Sequence, residues 1–378
     1  MLYLDHAAAT PLRAEARGAM EPYLDADFGN PSGIHGVSRR AKDAVEAARE
    51  QVADLLGAEH PLDVVFTGGG TESVNLGVWG PLLAAGPGHR LVTSAIEHEA
   101  VLAGIGPMRR LGFEATVVGV DWPGVVEPSE VATGVDSRTV VVSVMAANNE
   151  TGVVQPVAKI AEAVRSVREN VLLHTDAVQA VVGVQADLAS LGVDMLSLSG
   201  HKIGGPKGVG VLIAPRRVTL GPIIHGGGQE LGRRSGTHHV AGIVGLAAAL
   251  AAAVADAAEF RRRIGAERDR FEHALSGRVP DAEVTGVGAE RLIQHSHVRF
   301  PGVPAETLLI RLDASGVAAS SGSACQSGAT KPSHVLTALG MSEPAARQCV
   351  RFTFGHTTAD GDGGRAAAVV AEAVEALR

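Results

Sequence analysis

The feature that most constrains this chain is a regular alternation of short apolar runs with amphipathic stretches, which persists from about residue 41 to residue 255. Ala41 to Leu56 carries helical periodicity and stops at Gly57. Strand-like runs follow at Asp63–Thr67, Arg90–Ser94, Ala115–Val120, Thr139–Met145, Val171–Thr175, Asp194–Ser199 and Gly208–Ile213. Helical stretches fall between them at Thr71–Trp79, Glu99–Leu111 and Val157–Arg168. Thr139–Met145 is apolar on both faces, as a central strand of a parallel sheet must be. The series predicts an α/β fold with a mostly parallel sheet and right-handed crossovers. After the Ala-rich stretch Val240–Ala255 the texture changes. Strands are expected at Ser296–Phe300, Val317–Ser320 and Val350–Phe354, in a smaller α+β unit. No internal repeat and no low-complexity linker interrupts the chain.

Composition narrows the function classes. With 378 residues the chain can bury two cores, and 46% hydrophobic against 20% charged residues describes a globular protein. A formal net charge of -8 argues against direct nucleic-acid binding and against membrane-surface binding. The local run Arg261, Arg262 and Arg263 reads as a solvated helix face. Val240–Ala255 is short for a bilayer span and reads as a buried or interdomain helix. The first residues hold no basic stretch followed by an apolar one, so no signal peptide is expected. Two cysteines, Cys325 and Cys349, cannot form a disulfide framework and fit a reduced, cytoplasmic setting. Lysine is scarce: Lys42, Lys159, Lys202, Lys207 and Lys331 stand where arginine does most of the basic work. A lysine kept in such a chain hints at amine chemistry that guanidinium lacks.

Six places carry chemical potential. Phe66-Thr67-Gly68-Gly69-Gly70-Thr71-Glu72-Ser73 runs from a strand through three glycines into a helix, which is an anion site or a plain glycine turn. It is not a dinucleotide fingerprint, because Ser73 stands where the third glycine belongs. Ser199-Gly200-His201-Lys202 leads into a second glycine-rich turn, which fails as a phosphate loop because Pro206 follows Gly205. There Lys202 is a candidate Schiff-base amine and Lys207 its rival. Asp176 ends a strand, where α/β sheets place ligands, and is either a partner for a protonated ring nitrogen or a helix cap. His98, within Glu97-His98-Glu99, is a candidate stacking and proton-transfer group or a structural histidine. Cys325 lies among small residues in Ser320–Gly328, which favours an exposed, reactive sulfur, whereas Cys349 sits in an apolar context. Arg351 is a candidate carboxylate clamp or a surface ion-pair residue.

Together these pieces resemble the cysteine desulfurases of the class V aminotransferase group, whose architecture is fold-type I. The match begins at Tyr3–Pro11 and continues through Gly29-Asn30-Pro31-Ser32, the glycine-rich turn, Glu97-His98 and Asn148-Asn149-Glu150-Thr151-Gly152. Asp176-Ala177-Val178-Gln179, Ser199–Lys202, Arg234-Ser235-Gly236-Thr237, Ser321–Cys325 and Arg351–Gly355 follow in order. The resemblance implies a mostly parallel seven-stranded sheet in a large domain (12–255). A smaller α+β domain (1–11 and 256–378) would carry the cysteine loop at about 320–334. It implies pyridoxal 5′-phosphate held by Lys202. Gly70, Thr71, Ser199 and His201 would take the phosphate, and Thr237 would reach the phosphate of a neighbouring subunit, which requires a homodimer with shared active sites. Asp176 would face the ring nitrogen, Gln179 and Asn149 the phenolic oxygen, and His98 the ring.

Arg351 and Asn149 would hold the substrate L-cysteine. Cys325 would take its sulfur as a persulfide, deprotonated by a base for which His98 is the candidate, and alanine would leave. No resident metal is implied, although Cys325 could transiently ligate an iron–sulfur cluster. The long segment after Cys325 suggests direct delivery to a sulfur-acceptor protein for iron–sulfur cluster assembly, tRNA thiolation or DNA phosphorothioation. The chain departs from the family's commoner residues at His6, Ala9, Ala147 and His356, none of which touches an assigned role. A selenocysteine lyase or another class V lyase is the competing enzyme reading, and an inactive sulfur-carrier scaffold is the non-enzymatic one.

Overall fold

The computed structural model describes residues 1–181, 187–322 and 332–378. The chain opens with β1 (Leu2–Tyr3), α1 (Ala14–Met20) and α2 (Gly36–Leu56). The central unit follows as β2 (Val64–Thr67), α3 (Gly70–Ala85), β3 (Arg90–Ser94), α4 (Glu99–Arg110), β4 (Glu114–Val118), α5 (Pro128–Thr133) and β5 (Thr139–Ser143). It continues with α6 (Val157–Val167), β6 (Leu172–Asp176), α7 (Leu188–Leu191), β7 (Met195–Ser199) and β8 (Gly210–Ile213). Helices α8 (Val240–Ala255) and α9 (Ala257–Arg278) lead into β9 (Glu283–Val284), β10 (His295–Arg299), α10 (Ala305–Ala314) and β11 (Val317–Ala318). Then come α11 (His334–Ala338), α12 (Glu343–Ala346), β12 (Cys349–Thr353) and α13 (Asp362–Glu375).

The main sheet has seven strands in the order β2-β8-β7-β6-β5-β3-β4. Strands β3 to β7 pair in parallel, and β8 runs antiparallel to both β7 and β2. The reversal has a local cause. Helices join the parallel strands, but β7 and β8 are joined by the tight glycine turn of residues 200–209, which is too short for a crossover. The order also reverses between β3 and β5, since β4 lies on one side of β3 and β5 on the other. In open α/β sheets the crevice at such a switch point binds ligands. His98 follows β3 and Asn148-Asn149 follows β5, so these two segments border that crevice.

Apolar character measured burial rather than pairing at two strand ends. β5 stops at Ser143, although Val144 and Met145 are fully buried beyond it. β4 is Glu114–Val118, and Val120 is buried outside the ladder.

The C-terminal unit has a three-stranded antiparallel sheet, β12-β10-β9, and β1 pairs in parallel with β11. Its core is aromatic: Phe271 of α9 meets Phe352 of β12 with ring centroids 4.9 Å apart. α8 is largely buried. Among the described residues no single helix is long and apolar enough to cross a membrane. The arginine run divides. Arg261 and Arg262 are exposed, with Arg262 paired to Glu259, but Arg263 donates to the carbonyls of His356 and Thr358. Arg263 therefore ties α9 to the loop before α13 rather than facing water.

Candidate active site

β7 ends at Ser199, and residues Gly200–Lys202 form one tight 3-10 turn. The N-terminal segment lies across this turn. Thr10 donates to the His201 carbonyl through both its N–H and its hydroxyl, each at 2.9 Å. The Arg13 N–H donates to Gly204 at 2.8 Å and its Nε to Ile203 at 3.1 Å. Gly204 must be glycine: its φ is +83°, and a Cβ there would sit 2.5 Å from Arg13 Cγ. Lys202 is half-buried, and its Nζ donates to the carbonyls of Ala7 and Ala8. Gln179 Nε2 donates to the same Ala7 carbonyl at 3.0 Å, so Lys202 and Gln179 are neighbours. The rival amine, Lys207, is exposed further along the turn. The opening motif of the sequence thus serves to hold the lysine turn.

The glycine-rich turn after β2 supplies an anion cradle. Gly69 precedes α3 with φ +145°, and no side chain caps that sixteen-residue helix. A helix start without a cap presents N–H donors and a partial positive charge. A Cβ on Gly70 would meet Ser199 Cβ and Val178 Cγ2 at 3.1 Å each, so the helix start rests directly on the end of β7. Ser199 Oγ and His201 Nδ1 are 2.8 Å apart. Burial, with the charge of Lys202 behind it, pulls His201 down to about 4, so its ring is neutral near pH 7. Gly70, Ser199 and His201 are therefore together, with Thr71 exposed at the mouth.

Asp176 closes β6 and is buried, and its Oδ1 accepts from the Val178 N–H at 2.9 Å. No described helix starts at Asp176, so it is not a helix cap. Burial raises its pKa, and the charges of His98 and Lys202 oppose that rise. A desolvated carboxylate of this kind gains from a cation placed beside it. His98 caps α4: its Nδ1 accepts from the Ala100 N–H at 3.0 Å. The neutral ring then carries its proton on Nε2, which makes that atom a donor.

Arg351 of β12 is buried. Its Nη1 donates to the Asn149 carbonyl at 2.6 Å and its Nη2 to Asp5 at 2.9 Å, while its Nε has no partner among the described residues. A surface ion pair is thereby excluded, and the orphaned N–H suits an anion. Asn149 is half-buried beside it. Thr237 is exposed on this chain. Cys325 lies outside the described residues. Cys349 is buried, and burial pushes its thiol up to about 12, which makes it inert.

Sequence reasoning passed over Glu97, which flanks His98. Glu97 is fully buried and accepts from the Ser94 hydroxyl at 2.6 Å and the Met145 N–H at 3.0 Å. Burial lifts it from 4.5 to about 8. The unfolded chain ionises this group first, so its contribution to stability falls as pH rises between those two values and is constant above them. Glu97→Gln is expected to be neutral in stability near pH 4 and to gain on the wild type by on the order of a few kcal/mol at pH 8. Thermal unfolding at the two pH values checks this, and an equal difference at both would refute it. The other residues overlooked, Glu150, Ser333 and His334, lacked a local signal except that Glu150 stands inside the Asn-Asn-Glu-Thr-Gly run.

Comparison with known proteins agrees with this geometry. The family model for aminotransferase class-V matches residues 2–362. A cysteine desulfurase IscS of Methanosarcina thermophila is 41% identical over 378 residues, covering 100% of this chain and 93% of that protein. A solved NifS-like protein superposes with a TM-score of 0.92 at 33% identity, covering 100% of both chains. A structure of SspA in complex with cysteine gives a TM-score of 0.82 at 34% identity, over 94% of this chain and 99% of that one. With the lysine turn, the anion cradle and the buried aspartate at one sheet edge, and relatives matched from end to end, the chain belongs to the class-V aminotransferase family, among its cysteine desulfurases.

Proposed function

We propose that the protein removes the sulfur of L-cysteine, releasing L-alanine and leaving a persulfide on Cys325. The observation that carries this reading is the convergence of the Lys202 amine and the buried Asp176 carboxylate at the C-terminal ends of β6 and β7, on the crevice that the segments of His98 and Asn149 border. The donor set fits pyridoxal 5′-phosphate, the cofactor of this family. Lys202 would hold it covalently and Asp176 would face its ring nitrogen. Gly70, Thr71, Ser199 and His201 would take the phosphate, with Thr237 of a second subunit in a homodimer. Gln179 and Asn149 would lie on the phenolic side, and His98 on the ring. When bound, the cofactor supplies an electron sink beside the substrate's amino group.

The protein's own groups do the rest. Arg351, with Asn149 beside it, orients the substrate carboxylate and uses the Nε–H that has no partner among the described residues. Lys202 takes the α-proton, and His98 donates from Nε2. The Cys325 thiolate forms an S–S bond to the substrate sulfur as the Cβ–S bond breaks. Cβ keeps that electron pair and takes a proton, and Lys202 returns a proton to Cα, which completes alanine. The persulfide then passes to a sulfur-acceptor protein in the cytoplasm, within iron–sulfur cluster assembly, tRNA thiolation or DNA phosphorothioation.

Cys325→Ser tests the reading. The variant is expected to bind cysteine but to form alanine at least about a thousandfold more slowly, with no sulfur added to the protein mass. Alanine formation at the wild-type rate would sink the persulfide route.

A further inference from the structure

Glu150 takes no part in the chemistry above, yet it is buried where three segments meet. The turn that holds it is built by Asn148. Asn148 Oδ1 accepts from the N–H of Glu150 at 3.0 Å and of Thr151 at 2.9 Å, and its Nδ2 donates to the Ile96 carbonyl at 3.0 Å. The turn is further fixed at Gly152, where φ is +76° and a Cβ would lie 2.5 Å from His295 Cβ. Two successive residues then face different tasks. The Asn149 carbonyl accepts from Arg351, while the Glu150 carboxylate accepts from the Ser333 hydroxyl at 2.6 Å.

Glu150 also lies against Gly322. A Cβ on Gly322 would come 3.2 Å from Glu150 Oε2 and 3.3 Å from its Cβ and Cγ, and Gly322 has φ +80°. Two residues earlier, Ser320 pairs with Arg351 through two backbone hydrogen bonds of 3.2 and 2.6 Å. On the other side Ser333 caps α11 through the Leu336 N–H at 3.2 Å, and His334 Nε2 donates to the Glu97 carbonyl at 2.9 Å. Ser320 is thus paired with Arg351, Gly322 packs against Glu150, and Ser333 is hydrogen-bonded to Glu150 in the turn whose Asn149 carbonyl holds Arg351. A space-filling residue would do as well here without the cost of desolvating a carboxylate. Glu150 is in fact raised in pKa by that burial. What the position uses is the hydrogen bond.

We infer that Glu150 is a positioning residue for sulfur transfer: by accepting from Ser333 and packing against Gly322 it fixes both ends of the segment that carries Cys325 relative to the Arg351 guanidinium. This rests on Cys325 being the group that takes the sulfur. Glu150→Ala is expected to lower kcat about tenfold to a hundredfold while leaving KM for cysteine within about twofold, because Arg351 keeps its own contacts. Ser333→Ala lowers the rate in the same direction, and Ser333→Thr, which keeps the hydroxyl, restores it. Amide hydrogen exchange in residues 332–338 of the cofactor-free protein is expected to accelerate in Glu150→Ala. The inference fails if single-turnover persulfide formation in Glu150→Ala stays within about twofold of wild type, or if KM rises in step with the loss of kcat. If Glu150→Ala does not fold, the Ser333 pair decides: a threonine that fails to recover the rate refutes the role. Cys325→Ser, run in parallel, separates the two levels. Full alanine formation there removes the persulfide reading itself. An inactive Cys325→Ser beside a fully active Glu150→Ala removes only the positioning role.

Discussion

Lys202→Ala is expected to lower cysteine desulfuration by about a thousandfold or more, the loss typical when a covalent and proton-transferring group is removed together. The structure gives both reasons. Lys202 stands on a turn clamped by Thr10 and Arg13, and its amine is held at the Ala7 and Ala8 carbonyls beside Gln179. Lys202→Arg is not expected to rescue, since a guanidinium stays protonated and cannot act as a nucleophilic amine. Lys207→Ala is the matched control. Lys207 is exposed, and its loss is expected to leave the rate within about twofold. Steady-state rates, together with the visible absorbance of protein loaded with pyridoxal 5′-phosphate, check the set. If Lys207→Ala lost the activity and the absorbance while Lys202→Ala kept them, the assignment of the amine would be overturned.

Asp176→Asn is expected to show opposite effects on activity and stability. Activity falls by about a hundredfold to a thousandfold, the usual size for removing one buried electrostatic partner of a reacting group. The cofactor-free protein, in contrast, becomes more stable. Burial raises Asp176 above its ordinary value of 3.8, so the unfolded chain ionises first as pH rises. Wild-type stability is then lost on moving upward from that value, and asparagine avoids the loss. Wild type and variant should melt alike near pH 3.5 and diverge in favour of the variant by pH 7. Addition of pyridoxal 5′-phosphate should narrow the gap, because a protonated ring nitrogen offsets the buried charge. A melting difference that ignores both pH and cofactor would count against Asp176 as the ring partner.

Several site residues were legible in the sequence because their signals are local. A strand end followed by glycines places an anion cradle, and a carboxylate at a strand end places a ring partner, without knowledge of any distant contact. Cys349 was legible as inert from its apolar neighbours. Other features could not be read this way. Arg351 divided evenly between a clamp and a surface ion pair until Asn149 and Asp5, far away in the chain, were seen to bury it. Arg263 looked solvated within its run, yet it is spent on the loop at His356 and Thr358. The helices α9, α10 and α13 of the C-terminal unit went unnamed, since they alternate with short strands whose pairing partners lie far away in the chain.

The sequence by itself determined the α/β class, the order of the site motifs and the chemistry those residue types allow, because periodicity, turn composition and side-chain reactivity are properties of neighbouring residues. Only the tertiary structure placed Lys202 half-buried at the Ala7 and Ala8 carbonyls and left Lys207 exposed. It showed that the N-terminal segment holds the lysine turn and that Glu150 accepts from Ser333 while packing against Gly322. Those outcomes depend on hydrogen bonds and burial between residues about 170 to 200 positions apart, and such contacts leave no pattern along the chain.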